Sequence, residues 1–472
     1  MQLAQKSVNS PYLMLTVLMI GAFSGLFGET ALNMALTTLM DEFSITSGIA
    51  QWLVTGYLLT LAVFMPISAF LMRCFNTKSL VVSAIFISFA GCMIAVASTE
   101  LPTLMLGRVV QAVGTAIILP ILISCALLIF PMQKRAAVMG IVGIAITLAP
   151  ALGPTLSGFI ITFINWRAIF MISALIYFII FILAIRVVEN IGDITRPKID
   201  IISIVLSTIG FSGIIYSFAT LAENSFSSVT VWAPLAIGII SLGVFVWRQS
   251  NITEPMINLQ VFNNQTFIVG LLLMMICMMS ILATAIILPL YLIEVLLLQA
   301  ALAGMFLLPG NLLNVLFSPL IGILYNRYDS KLLAGLGAVF ILISASAFLL
   351  LMNQAALPWQ VTIAFMCLCI GVTCIIMPAQ TAALSALPKE LYSDGSSVWN
   401  TFYQVSGAAG SSIAITIMTN THDNVLKNGR VKEEITALAL GAHSVFYLLL
   451  FFGFIALILA FKLNKPHTVL KS

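Results

Sequence analysis

Fourteen long, predominantly apolar stretches follow one another along this chain, and they constrain its fold more than any other feature. They run over roughly 11–40, 48–72, 78–98, 101–130, 135–163, 167–188, 199–222, 230–249, 264–296, 300–325, 331–353, 358–387, 395–420 and 441–462. About 20 such residues in helical form cross the hydrocarbon core of a bilayer. In lipid each backbone N–H and C=O needs an internal partner, so each stretch is committed to a helix. The least marked boundary lies in YLIEVLLLQAALAG, where Gln299 alone signals a turn between two helices. The composition agrees: 61% of residues are hydrophobic and 8% charged, against about 25% charged in soluble domains. Soluble enzymes are thereby excluded, and the net charge of +4 is too small to suggest a nucleic-acid partner. The first helix lacks a small-residue cleavage site and is expected to be retained.

The basic residues orient the spans. With both termini cytoplasmic, fifteen fall in inner segments: Lys6, Arg73, Lys78, Lys134, Arg135, Arg186, Arg196, Lys198, Arg248, Arg327, Lys331, Lys389, Lys462, Lys465 and Lys471. The outer segments hold four, Arg167, Lys427, Arg430 and Lys432. This asymmetry is the positive-inside pattern of an even number of spans. Arg108 is left inside a span, as is the lone carboxylate of GAFSGLFGETALNMAL, Glu29. Most of the seven cysteines lie within apolar runs without disulfide or metal spacing and read as small hydrophobes. The three histidines show no ligand spacing, and no phosphate-binding G-x-x-x-x-G-K-S/T occurs. No metal site, cofactor or catalytic constellation is expected.

The chain also repeats itself. PISAFLMRCFNTK (66–78) and PLIGILYNRYDSK (319–331) both start at proline, finish a helix on small and apolar residues, and turn through an aromatic to a lysine. Repeated six-helix halves with a site near the midplane are a common transporter plan. The expected division is 1–190 and 263–472 as six-helix bundles, with 191–262 as two inserted helices and their linkers, a 6+2+6 arrangement.

At this point the chain resembles the major facilitator superfamily. The second repeat is similar to that family's loop motif G-x-L-x-D-R-x-G-x-K/R through Gly322, Leu324, Asn326, Arg327 and Lys331; in the first copy Ala69, Arg73 and Asn76 stand at motif positions. RVVQAVG, with Arg108, Gln111 and Gly114, resembles the fourth-helix motif. GIVGIAITLAPALGPTLSG resembles the antiporter motif of the fifth helix through Gly140, Gly153, Pro154 and Gly158. ETALNMAL resembles the first-helix D-x-T-x-x-N-x-A-L of fourteen-span drug:proton antiporters, with Glu29 in place of aspartate. QWLVTGYLLTLAVFMP, NWRAIF, EPMINLQVF and MPAQTAALSALPKELYSDGSS extend the resemblance over nearly the whole chain. The last, with KIDIISIVLSTIGFSG, is most similar to the lincomycin-resistance type of exporter. The resemblance implies an all-α polytopic membrane protein of the major facilitator fold. It further implies a monomer in a bacterial cytoplasmic membrane that exchanges protons for drugs by alternating access.

The residues carry their own readings. Glu29 shares a helical stripe with Gly21, Gly25 and Asn33, a small-residue face that favours close helix contact. A charge at the bilayer centre is expensive, about 2.5–3.5 kcal/mol on insertion scales. Either Glu29 takes up and releases a proton and binds cationic drugs, or it is a permanently neutral hydrogen-bonding group. Arg108 is either a fixed charge that assists proton transfer, as the resemblance implies, or a structural arginine on backbone carbonyls. Pro150, Gly153, Pro154 and neighbouring glycines either let a helix seal as a gate or merely bend it. Trp399, Asn400, Tyr403 and Gln404, with Asn311, Asn314, Tyr57, Asn33 and Gln111, are candidates for a polar–aromatic drug-binding wall; interhelical hydrogen bonding is the alternative for each. Glu294, at a helix end, is either a cap or a second proton site. Two other functions compete with drug export. One is a transporter of the same fold for a lipid, siderophore or metabolite; the other is a membrane sensor that has lost transport.

Overall fold

The apolar runs fold as helices throughout the computed structural model, which describes residues 9–45, 47–191, 200–221, 228–252, 255–298, 300–352, 356–427 and 434–463. In order these are α1 (Pro11–Ala31), α2 (Leu36–Phe43), α3 (Ser47–Cys74), α4 (Thr77–Val96), α5 (Leu101–Ile129), α6 (Met132–Phe163), α7 (Arg167–Val187), α8 (Ile201–Leu221) and α9 (Val229–Asn251). They continue as α10 (Gln265–Leu290), α11 (Ala300–Arg327), α12 (Ser330–Leu351), α13 (Pro358–Ser385), α14 (Tyr392–Lys427) and α15 (Glu434–Ala460). The described residues contain no strand.

Among the described residues, twelve helices are long and apolar enough to cross a membrane, and the protein is a multi-pass membrane protein. Two further helices are long but fall outside that count. α6 has 32 residues with an apolar stretch at Ala137–Pro150, and α14 has 36 residues rich in Ser, Thr, Asn and Gly. The expected fourteenfold pattern of long helices is thus present as helices, and α14 is the least apolar of them. The boundary expected at Gln299 lies outside the described residues. α10 runs on through a wide turn at Tyr291–Val295, Leu297 turns with a φ of 54°, and α11 starts at Ala300.

Local chemistry sets the ends. Pro11, Pro102 and Pro358 occupy first turns, where a missing N–H costs nothing. The Asn264 side chain caps α10 by accepting from the Phe267 N–H at 3.1 Å. Both repeat segments have the same structural place: the first joins α3 to α4 and the second joins α11 to α12.

The chain divides into two compact units. One comprises 1–213, 237–263 and 387–404; the other comprises 214–236, 264–386 and 405–472. In the first, α4 and α5 approach closely because a Cβ on Gly91 would lie 2.3 Å from the Gln111 backbone N, and one on Gly114 only 2.3 Å from the Ala84 carbonyl. In the second, Gly337 of α12 and Gly371 of α13 face each other, each Cβ position within 2.7 Å of the other's carbonyl oxygen. α5 is the most enclosed span, with 83% of its apolar window buried against 22% for α9. An ionisable side chain on α5 is therefore shielded from lipid.

Asp200 and Arg248 tie the start of α8 to the end of α9 through a two-pronged pair at 2.9 and 3.0 Å. The guanidinium holds the Asp200 carboxyl down at about 2. A carboxyl depressed in the folded state stabilises above its unfolded value of about 3.9 and stops doing so as pH falls towards 2. Asp200→Asn is expected to lower the melting temperature modestly at pH 7, with a difference from wild type that vanishes near pH 2. Thermal unfolding in detergent across that range measures it.

Candidate functional site

The stripe on α1 faces α5. A Cβ on Gly21 would sit 3.4 Å from Ile118, and one on Gly25 would sit 2.3 Å from the Thr115 side chain. A Cβ on Gly28 would fall 2.8 Å from Gln111 Nε2 and 3.7 Å from Arg108 Nη1. The small residues thus let α1 dock on the helix that carries the buried arginine, and Glu29 is delivered beside it. Just beyond, α1 passes through a tighter helical turn at Leu32–Ala35 into α2. The Asn33 side chain, on this turn, lies outside the described residues.

Glu29 as a whole is half-buried, but its Oε2 is sealed from solvent with no hydrogen-bond partner. The Gln404 side chain of α14 lies beside the carboxylate, and Arg108 acts on it through space. Among the described residues the two charges form no ion pair within 4 Å. Arg108, 1% exposed, is held elsewhere. Its Nε donates to the Leu53 carbonyl at 3.3 Å, Nη1 donates to Gln111 Oε1 at 3.0 Å, and Nη2 is buried without a partner. The guanidinium lies 4.1 Å over the Tyr57 ring. Gln111 thus meets Arg108, and its own Nε2 is left buried and unsatisfied. Unpaired buried polar atoms are costly and rare; here they gather around one acid and one base.

The α6 motif reaches the same place. Gly153 packs on α1 at Thr30, where a Cβ would come within 2.1 Å of the Thr30 hydroxyl. Gly153→Ala is expected to destabilise by about 1–3 kcal/mol through overpacking, and Thr30→Ala in the same chain should recover most of it. Thermal unfolding of the single and double variants measures the rescue. Pro150 is half-buried, the Pro154 side chain lies outside the described residues, and α6 is continuous through both. Gly140 and Gly158 lie on the same helix, each with an interaction partner.

The candidate wall is distributed. Tyr57, at 0% exposure, is part of the packed core. Tyr403 and Gln404 are next to Glu29. Trp399 is buried, and the Asn400 amide donates to the Ser396 carbonyl of its own helix at 2.8 Å. Asn311 and Asn314 are half-buried on α11 in the second unit, and Asn314 accepts from Thr373 of α13 at 2.6 Å. Glu294 is exposed at the helix end. Of the second loop motif, Arg327 is exposed, Lys331 is half-buried at the start of α12, and the Asn326 side chain lies outside the described residues.

Sequence reasoning missed a polar seam along the first half of α14. Arg73, at the acidic position of the first loop motif, pairs with Asp394 at 3.3 Å. It also donates to the carbonyls of Pro255, at 2.9 Å, and Met256. Arg135 donates to the Tyr392 hydroxyl at 2.8 Å, Ser396 meets Ser124 at 2.8 Å, and Ser397 meets Ser68 at 3.2 Å. The sequence signal was the reversed charge at Arg73: a basic residue where the family has an acid calls for an acid elsewhere. Asp394, in a first helical turn, reads locally as an ordinary N-terminal acid. Glu42 was missed as well. It accepts from the Trp166 indole at 2.6 Å and pairs with Arg167 at 2.9 Å, and these partners hold its carboxyl below the usual range, the indole most of all.

A polytopic helical bundle with an acid on α1 that makes no ion pair and a buried guanidinium on α5, its most enclosed span, has the design of a membrane transporter. The model of the Major Facilitator Superfamily matches residues 18–411, and the chain belongs to that family. It is 41% identical over 450 residues to the lincomycin resistance protein LmrB of Listeria innocua, covering 95% of each chain. It is 39% identical over 454 residues to the LmrB of Bacillus subtilis, again covering 95% of each. The probable multidrug resistance protein EmrY of Escherichia coli is 25% identical, over 85% of this chain and 78% of its own. In fold the chain is similar to the human organic anion transporter MFSD10, with a TM-score of 0.66 at 10% identity over 95% of this chain and 99% of that one.

Proposed function

We infer that the protein is a multidrug efflux transporter that exchanges external protons for amphipathic or cationic drugs. The observation that carries this reading is the Glu29 carboxylate, sealed at Oε2 and unpaired although Arg108 is near. A buried carboxyl with no committed cation accepts a proton when occluded and loses it when opened to water, and when ionised it attracts a cationic drug. Proton and drug then compete for one charge, which is sufficient for exchange. Arg108 supplies a fixed positive charge beside the acid. The relatives named for lincomycin and multidrug resistance support drugs as the cargo.

In this reading the chain crosses a bacterial cytoplasmic membrane fourteen times as a monomer with both termini inside. Its plan is 6+2+6, with bundles 1–190 and 263–472 and an inserted pair within 191–262. Gly140, Pro150, Gly153, Pro154 and Gly158 let α6 seal against its neighbours, and Asn326, Arg327 and Lys331 belong to the inner loop of the second half. Tyr403 and Gln404 join Glu29 in the drug site, Trp399, Asn400, Asn33, Gln111 and Tyr57 form or support its walls, and Asn311 and Asn314 are drug-contacting candidates of the second unit. A susceptibility panel in an efflux-deficient host, wild type against Glu29→Gln, tests the reading. Raised resistance to several unrelated drugs that disappears in the variant is expected; no resistance to any compound would favour a metabolite, lipid or siderophore exporter.

A further inference from the structure

We propose that Tyr57 is a positioning residue that holds Arg108 off the Glu29 carboxylate and so keeps the acid free for a proton or a cationic ligand. The use made of that free acid rests on the proton-coupled reading above; the positioning itself does not. A buried carboxylate oxygen and a buried guanidinium nitrogen that both lack partners, and that lie within electrostatic reach, ordinarily close into a forked pair. Here they do not. The guanidinium is instead stacked 4.1 Å over the Tyr57 ring, an attraction that is strongest where water is excluded. Its edge is pinned to the Leu53 carbonyl and to Gln111.

The ring is itself fixed from both sides. The Tyr57 hydroxyl donates to the Gly25 carbonyl at 2.9 Å, one turn before Glu29 on α1, and lies 2.9 Å from the Thr115 hydroxyl on α5. Thr115 in turn donates to the Gln111 carbonyl at 3.1 Å. Tyr57 of α3 is therefore wedged between the helix of the acid and the helix of the base. The groups that act on Glu29 are Arg108 from α5, Tyr403 from α14 and the neutral Gln404, with Tyr57 itself from α3. Around Arg108 stand Tyr57, Cys92 from α4 and Tyr177 from α7. α6 meets this region through Gly153 on Thr30, which adds no charge. Of these groups only Arg108 carries a positive charge, so where its side chain rests governs how readily Glu29 gives up a proton.

The test follows the reaction of Glu29 with a hydrophobic carbodiimide, which modifies protonated carboxyls, against pH in the purified full-length protein. Tyr57→Leu removes the π face and lets Arg108 swing to Glu29. An opposite charge within about 4–6 Å favours the ionised acid, so the labelling midpoint is expected to fall by about one pH unit. Tyr57→Phe keeps the stack and should keep the wild-type midpoint. With Arg108→Gln also present, Tyr57→Leu should add no shift, because the interaction that it releases is gone. An unmoved midpoint in Tyr57→Leu, an equal shift in the Arg108→Gln background, or no labelling of wild-type Glu29 would overturn the proposal. Tyr57→Met serves if the leucine variant does not fold; if neither folds while Tyr57→Phe does, Tyr57 is a packing residue and the proposal fails. A shifted midpoint alongside normal proton-driven efflux by Glu29→Gln would remove Glu29 from the proton path and leave the positioning role standing.

Discussion

Glu29→Gln is expected to reduce efflux driven by a pH gradient to the level of protein-free liposomes while the protein stays folded. The substitution keeps the size and polarity of the side chain, so α1 still docks on α5 through Gly21, Gly25 and Gly28. What it removes is the ability to carry a proton, and with it the negative charge that draws a cation into an apolar site. Glu29→Asp restores the residue usual in the family on a shorter stem and should recover part of the activity. The measurement is drug transport in proteoliposomes with an imposed gradient, with folding checked by thermal unfolding. Normal gradient-driven transport by Glu29→Gln would remove Glu29 from the proton path.

Breaking the pair between Arg73 and Asp394 should have the second largest effect. Asp394 is 1% exposed and Arg73 20%, and removing one partner of a buried pair costs about 3–5 kcal/mol. The exposure of Arg73 places this pair at the lower end. Arg73→Ala strands a buried carboxylate, so it should be the more damaging single change. Asp394→Asn leaves Arg73 on the carbonyls of Pro255 and Met256 and should be milder. The exchange Arg73→Asp with Asp394→Arg should recover part of the stability. Cys74, half-buried beside Arg73, is a native reporter: with Cys367→Ala, its alkylation by a polar maleimide should quicken in Asp394→Asn. An unchanged rate and melting temperature would show that the pair does not fasten the start of α14 to the end of α3.

Much of this was legible in one dimension because lipid simplifies the problem. Apolar runs in a solvent without hydrogen bonds have no choice but the helix, so the long helices, their proline starts and the repeat at α3–α4 and α11–α12 followed from the residues. α14 was harder: its Ser, Thr, Asn and Gly reduce its apolarity, and their purpose is a seam with Ser68, Ser124 and Arg135 that no spacing along the chain announces. Leu297 and the wide turn before it likewise left no pattern beyond a single glutamine.

The same division holds at the site. The sequence by itself determined that Glu29 and Arg108 are ionisable groups inside spans, because a bilayer makes any such residue conspicuous against its apolar neighbours. It also determined that small residues line the face of α1 that bears Glu29. Only the tertiary structure decided that this face meets α5 and that Glu29 and Arg108 stay apart. It also decided that Tyr57 stands between them and that Arg73 finds its acid 321 residues away. Those outcomes depend on which side chains fill the gaps between helices distant in sequence. Packing at van der Waals contact resolves such choices to within an ångström, and the order of residues along the chain does not encode them locally.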